Sequence, residues 1–172
     1  VNPTDDALMG ITHVLRGEDL LASTPRQLAL HGALARLGIG TGEIPNFGHL
    51  PYVMGEGNKK LSKRDPEASF SHYEKAGFLP QGLANYLALL GWSPGNDVEF
   101  FSLAQMAEAF EISSVNANPA RFDIKKCTSI NGDWIRALDP DDLTARLVPY
   151  LIDAQVLPLP PTDDQLGVLR AA

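Results

Sequence analysis

Cysteine occurs once in these 172 residues, at Cys127, which excludes an intramolecular disulfide and leaves no Cys-x-x-Cys pair for a thiolate metal site. Long apolar runs are also missing. Stretches such as Leu87-Ala88-Leu89-Leu90 fall far short of a membrane span, and no signal-peptide pattern opens the chain. A soluble cytoplasmic protein is expected. Positive charge is scarce: 14 lysines and arginines face 21 acids, for a net charge of −7. That balance argues against a generally basic nucleic-acid coat, although one local basic patch can still hold a polyanion. No internal repeat is present. Val1 opens the chain, and it stops shortly after an apolar periodic stretch begins at Leu166, so a piece of something longer is expected.

What is present suffices for one ordinary core or two small ones, at 44% hydrophobic residues. Ile11 to Gly17 reads as a buried strand: β-branched and apolar residues closed by a glycine. Thr24-Pro25 marks a helix start, Leu28, Leu34 and Leu37 recur at helical spacing with Ala33, and Gly38 closes the element. Strand and helix in this order predict an α/β unit. Phe47 to Met54 reads as a second extended segment leading into Gly55-Glu56-Gly57-Asn58. Beyond it the pattern turns helical. Pro80 opens a helix with an apolar stripe of Leu83, Tyr86, Leu87 and Leu90. Ser102 with Gln105, and Thr162 with Gln165, make capping boxes. Asp139-Pro140-Asp141-Asp142 is a strong helix start followed by Leu143, Leu147 and Leu151, and the Pro158-Leu159-Pro160-Pro161 linker interrupts that helix.

Two stretches could carry chemistry. Lys59-Lys60-Leu61-Ser62-Lys63-Arg64 places four cations in six residues after a glycine-containing loop. A solvated basic turn is the plain alternative. A phosphate-gripping P-loop is excluded, because neither the glycine-lysine-serine/threonine ending nor the four-residue spacer is present. Arg16-Gly17-Glu18-Asp19-Leu20 lies where the first strand hands over to a loop, the end of an open α/β sheet at which ligands bind. A guanidinium there could take a carboxylate in a bidentate fork, and the acids a ribose or ammonium group. An ordinary surface ion pair is the other reading. Cys127 is expected as a half-buried thiol, His13 and His31 as packed or surface histidines, and Trp92 and Trp134 as core anchors.

Several separated segments together resemble one family. Ile11 to Asp19, Thr24-Pro25-Arg26-Gln27, His49-Leu50-Pro51, Lys60-Leu61-Ser62-Lys63-Arg64 and Asn85 to Ser93 follow in the order and spacing of bacterial glutamyl-tRNA synthetases. The lysine-rich pentapeptide resembles the second signature of class I aminoacyl-tRNA synthetases. The likeness runs from about Val1 to Leu138. It implies a mixed α/β, mainly α fold: residues 1–65 as the second half of a Rossmann-type catalytic domain, 66–138 as a helical stem-contact region, and 139–172 as the start of a helical anticodon-binding domain.

The resemblance also implies activation of L-glutamate by ATP, followed by transfer of the glutamyl group to the 3′ end of tRNA-Glu. Lys63 and Lys60 would be catalytic. Asp19, Lys60, Leu61, Ser62, Lys63 and Arg64 would hold ATP, with Gly55 and Gly57 letting the loop close, and Asn2 and Arg16 would hold glutamate. Mg²⁺ would accompany ATP, with no ligands assigned in this stretch, and the enzyme would be a cytoplasmic monomer. The chain departs from the family pattern at Asp65-Pro66, where many relatives have a small or glycine-containing turn. It departs again over Lys125 to Gly132, where a tryptophan or histidine usually lies near the asparagine. The first class I signature is absent, so the chain alone is expected to be inactive. A glutamyl-queuosine-type paralogue and a non-catalytic tRNA-binding fragment are the alternatives.

Overall fold

The computed structural model describes residues 2–55, 59–62 and 64–171. They fall into two compact units, Val1–Lys63 with Val115–Phe122, and Arg64–Ser114 with Asp123–Ala172. The fold is mixed α/β and mainly helical. Among the described residues no helix is long and apolar enough to cross a membrane.

The first unit is built on a strand-helix-strand crossover. It runs through α1 (Asn2–Met9), β1 (His13–Gly17), a 3-10 turn (Glu18–Ser23), α2 (Thr24–Arg36), β2 (Asn46–Leu50) and β3 (Val53–Met54), and regains β4 (Ala120–Arg121) later in the chain. β1 and β2 are parallel, which requires a crossover, and α2 supplies it. The turn after α2 packs on α1 at Gly40, whose φ is +77° and where a Cβ would stand 2.3 Å from the Ala7 carbonyl oxygen. Only glycine fits that position.

Three expectations are corrected here. The first strand is shorter than Ile11 to Gly17 and is not buried: Leu15 is 44% exposed, because β1 and β2 form a two-stranded sheet with Leu15 away from the α2 face. On α2 the interior positions are Thr24, His31 and Leu34 rather than a leucine stripe, and Leu37 is 73% exposed. The extended segment from Phe47 to Met54 is two strands, since Pro51 has no N–H to donate and the chain changes partner there: β2 pairs with β1, β3 with β4.

The second unit carries α3 (Phe70–Lys75), α4 (Pro80–Leu89), α5 (Leu103–Ala109), α6 (Ile124–Arg136), α7 (Pro140–Asp153) and α8 (Asp163–Ala171). Its core contains Tyr73, Leu83, Tyr86, Trp92, Phe101, Cys127 and Ile130. The expected caps form: Ser102 and Gln105 close a reciprocal box on α5, Asp139 accepts the Asp141 N–H at the start of α7, and Gln165 and Thr162 bond each other's backbone before α8. The α6 helix was not anticipated. It starts at Asp123, which accepts the Lys125 and Lys126 N–H groups.

α4 and α6 pack closely through Gly82, where a Cβ would lie 2.8 Å from Asn131 Oδ1 and 3.0 Å from Asn131 Cα. Asn131 Oδ1 accepts the buried Leu79 N–H at 2.7 Å. Asn85 likewise joins three segments: its amide donates to the Glu99 carbonyl at 2.9 Å, and its oxygen accepts Phe101 N–H at 3.3 Å and Trp134 Nε1–H at 3.1 Å. Tyr86 Oη accepts the Asp123 N–H, and burial pushes its hydroxyl above the usual tyrosine range. Two further expectations change. Cys127 is fully buried, which pushes its thiol from 9.0 up to about 11, and Trp134 is a half-buried ring lying 4.6 Å from Phe100 rather than an interior anchor.

Candidate active site

The register of the parallel pair assembles the first cluster. Arg16 on β1 sits opposite His49 on β2, and Val14 opposite Phe47. Because side chains alternate along a strand, Phe47 and His49 share a face. Thr24 and Gln27, on the first turn of α2, reach the same place.

Arg16 is held on every side. Its Nη1 donates to Gln27 Oε1 at 2.6 Å, its Nη2 to Thr24 Oγ1 at 2.8 Å and to the Leu20 carbonyl at 3.4 Å, and its Nε to His49 Nε2 at 3.4 Å. The guanidinium carbon lies 5.1 Å from the Phe47 ring centroid, a cation–π distance. Of the five N–H donors of a guanidinium, these contacts engage four and leave one on Nη1. A two-pronged grip on a carboxylate therefore requires Gln27 to withdraw. No carboxylate among the described residues lies within ion-pair distance of Arg16, so the surface ion-pair reading is set aside. A half-buried cation is thus held with no carboxylate partner among the described residues.

The other anticipated residues are more scattered. Asp19 is exposed on the 3-10 turn, its carboxylate folded back over Gly17, where a Cβ would be 2.5 Å from Asp19 Oδ1. Asn2 is exposed at the start of α1. In the lysine-rich loop, Gly55 N–H donates to the Lys59 carbonyl at 2.8 Å and Leu61 N–H to the Val53 carbonyl at 2.9 Å, while Lys60 bridges to Met54. These bonds fold the loop back on β3. The Lys60 ammonium rests 3.6 Å from the centre of the Tyr52 ring, and Ser62 is exposed. Gly57 and Lys63 lie outside the described residues. Arg64 is exposed at the start of the second unit.

Thr24, Gln27, His49 and Tyr52 had no individual roles in the sequence reading. Their contribution depends on strand register and on which turn of α2 meets the sheet, and neither follows from local pattern. Pairing Ile11 to Gly17 with the segment after Pro45 in parallel would have set Arg16 beside His49. Among the described residues no group of three or more His, Cys, Asp or Glu side chains is arranged to hold a metal ion.

A strand-helix-strand unit with a cation fixed at its strand ends, followed by a lysine-rich loop, has the form of an α/β ligand-binding unit. Residues 1–129 match the family described as tRNA synthetases class I (E and Q), catalytic domain, and the chain belongs to that family. It is 63% identical over 171 residues to a glutamate–tRNA ligase of Saccharopolyspora erythraea, covering 99% of this chain and 34% of that one. It is 62% identical to the glutamate–tRNA ligase of Clavibacter sepedonicus, over 100% of this chain and 34% of the relative. Among solved structures, the glutamate–tRNA synthetase of Elizabethkingia anophelis superposes with a TM-score of 0.80 at 28% identity, over 96% of this chain and 35% of that one. The chain thus spans about a third of the length of the curated relatives it matches.

Proposed function

We propose that this chain is the segment of a glutamate–tRNA ligase that carries the amino-acid contact Arg16 and the lysine-rich ATP loop. The observation that supports this best is the Arg16 guanidinium, held by Thr24, Gln27 and His49 with no acid beside it among the described residues. A buried or half-buried cation without a counter-charge is costly, and an anionic substrate supplies one. In the first step an oxygen of the glutamate α-carboxylate attacks the α-phosphorus of ATP and pyrophosphate leaves. In the second, a hydroxyl at the tRNA 3′ end attacks the acyl carbon and AMP leaves.

Arg16 and Asn2 hold glutamate, with Arg16 taking a carboxylate. Asp19 contacts the nucleotide. Lys60, Leu61, Ser62, Lys63 and Arg64 close over the phosphates. Lys63 stabilises the negative charge growing on pyrophosphate, and Lys60 leaves the Tyr52 ring to join it. Mg²⁺ would accompany ATP and offset the charge of its phosphates. Residues 66–138 contact the tRNA stem and 139–172 begin the anticodon-binding region of a monomeric cytoplasmic enzyme.

The test is pyrophosphate exchange into ATP by the complete ligase, with glutamate, glutamine or neither added. Exchange that depends on glutamate and delivers glutamate to tRNA-Glu is expected. Exchange driven by glutamine instead would contradict the assignment.

A further inference from the structure

Thr24 Oγ1 stands between two partners whose roles constrain each other. It accepts an N–H of Arg16 Nη2 at 2.8 Å and lies 2.9 Å from His49 Nε2. With its lone pair facing the guanidinium, its own hydrogen is free to go to His49 Nε2 or to the Leu20 carbonyl at 3.5 Å, and the histidine is much the nearer. His49 Nε2 is also approached by Arg16 Nε–H at 3.4 Å. A protonated Nε2 could donate to the second lone pair of Thr24 Oγ1, with the hydroxyl hydrogen turned to Leu20, but it would then face the Arg16 Nε–H. The arrangement that gives all four atoms a partner has Nε2 bare, the proton on Nδ1, and the chain Arg16 Nη2–H to Thr24 Oγ–H to His49 Nε2.

We infer that His49, acting through Thr24, is a positioning residue that fixes the Arg16 guanidinium for a carboxylate, and that it does so with Nε2 as the acceptor and the ring hydrogen on Nδ1. The inference rests on the proposed role of Arg16 and deepens it. The approach of Arg16 Nε–H and the short Thr24–His49 distance both favour an acceptor at that point. Gln27 occupies Nη1, the Phe47 ring covers one face of the guanidinium, and the Thr24–His49 pair fixes its Nε and Nη2 edge. Gln27 is the one of these contacts that an entering carboxylate can replace without unseating the cation. His49 and Thr24 therefore set the direction in which the freed Nη1 hydrogens point.

Two measurements test this. In the 172-residue chain, a long-range ¹H–¹⁵N correlation spectrum reads the tautomer of His49 directly. Nδ1–H with an unprotonated, hydrogen-bonded Nε2 is expected, and Nε2–H overturns the inference. In the complete ligase, His49→Phe should raise the glutamate KM about tenfold while kcat and the ATP KM change less than about threefold. His49→Gln, which returns an acceptor oxygen near the Nε2 position, should recover glutamate KM to within about threefold of the parent. Equal loss in both variants at unchanged thermal stability, or no loss in His49→Phe, overturns the positioning role. Arg16→Lys separates the two levels. If it leaves the glutamate KM unchanged, the amino-acid role of Arg16 fails, whereas the tautomer still decides whether His49 holds the guanidinium.

Discussion

Arg16 and Asn131 sit in stretches that look alike in sequence, each a polar residue among apolar neighbours near a glycine, yet the structure uses them in opposite ways. Around Arg16 no partner is a carboxylate, and the contacts fix a direction while leaving one N–H without a partner among the described residues. Around Asn131 and Asn85 the side-chain oxygens are taken up by the protein's own donors, the Leu79 and Phe101 amides and the Trp134 indole, and the Asn85 amide donates to the Glu99 carbonyl. The first arrangement has capacity for a ligand. The second has the signature of a bolt, because removing a partner from a buried N–H costs more than the bond itself was worth. A motif-like stretch thus becomes a site when its polar groups are held in place but not used up.

The largest expected effect belongs to the first region. In the complete ligase, Lys63→Ala should slow glutamyl-adenylate formation about a hundredfold, equivalent to ~3 kcal/mol, in single-turnover measurements. A normal rate constant with only a higher ATP requirement would reduce Lys63 to a ground-state contact. In the second region, Asn131→Ala should cost about 2 kcal/mol of stability by stranding the Leu79 N–H, read as a lower denaturant midpoint, with exchange kinetics intact wherever the protein stays folded. Altered substrate kinetics at unchanged stability would erase the contrast between the two regions.

A smaller effect concerns Cys127. Its thiol holds its proton up to about 11 in the folded chain against 9.0 for the free group, so folding retains a proton that the unfolded chain gives up first. The associated stability is complete below pH 9 and is lost as pH rises toward 11. At about pH 9.5 the loss should be on the order of 1 kcal/mol, absent in Cys127→Ala once compared with its own neutral-pH value. Alkylating reagents should spare the folded thiol at neutral pH. Rapid alkylation without unfolding would show that burial is not what holds the proton.

What could be read without the structure was mostly local. The caps at Ser102, Asp139 and Thr162 form as expected because a cap is decided within four residues. The α6 helix escaped notice since Cys127, Ile130, Asn131 and Trp134 do follow helical spacing, but the stripe includes an asparagine whose burial depends on Leu79, far away in sequence. For the same reason the two-stranded sheet misled. Ile11 to Gly17 is apolar enough for a buried strand, and only the pairing shows that Leu15 faces away from α2. At the candidate site Arg16 was visible as a cation at a strand end, whereas Thr24, Gln27 and His49 became its partners only through register.

Whether Arg16 meets the amino acid decides the assignment of the whole site. The direct measurement is a pair of pyrophosphate-exchange titrations on the complete ligase with Arg16→Lys, one varying glutamate and the other ATP. Lysine keeps the charge but cannot donate to Gln27, Thr24 and His49 at once, so the glutamate requirement should rise at least about tenfold, ~1.4 kcal/mol, with the ATP requirement nearly unchanged. Impairment confined to ATP would make Arg16 a nucleotide contact, and no change in either would leave it a structural cation.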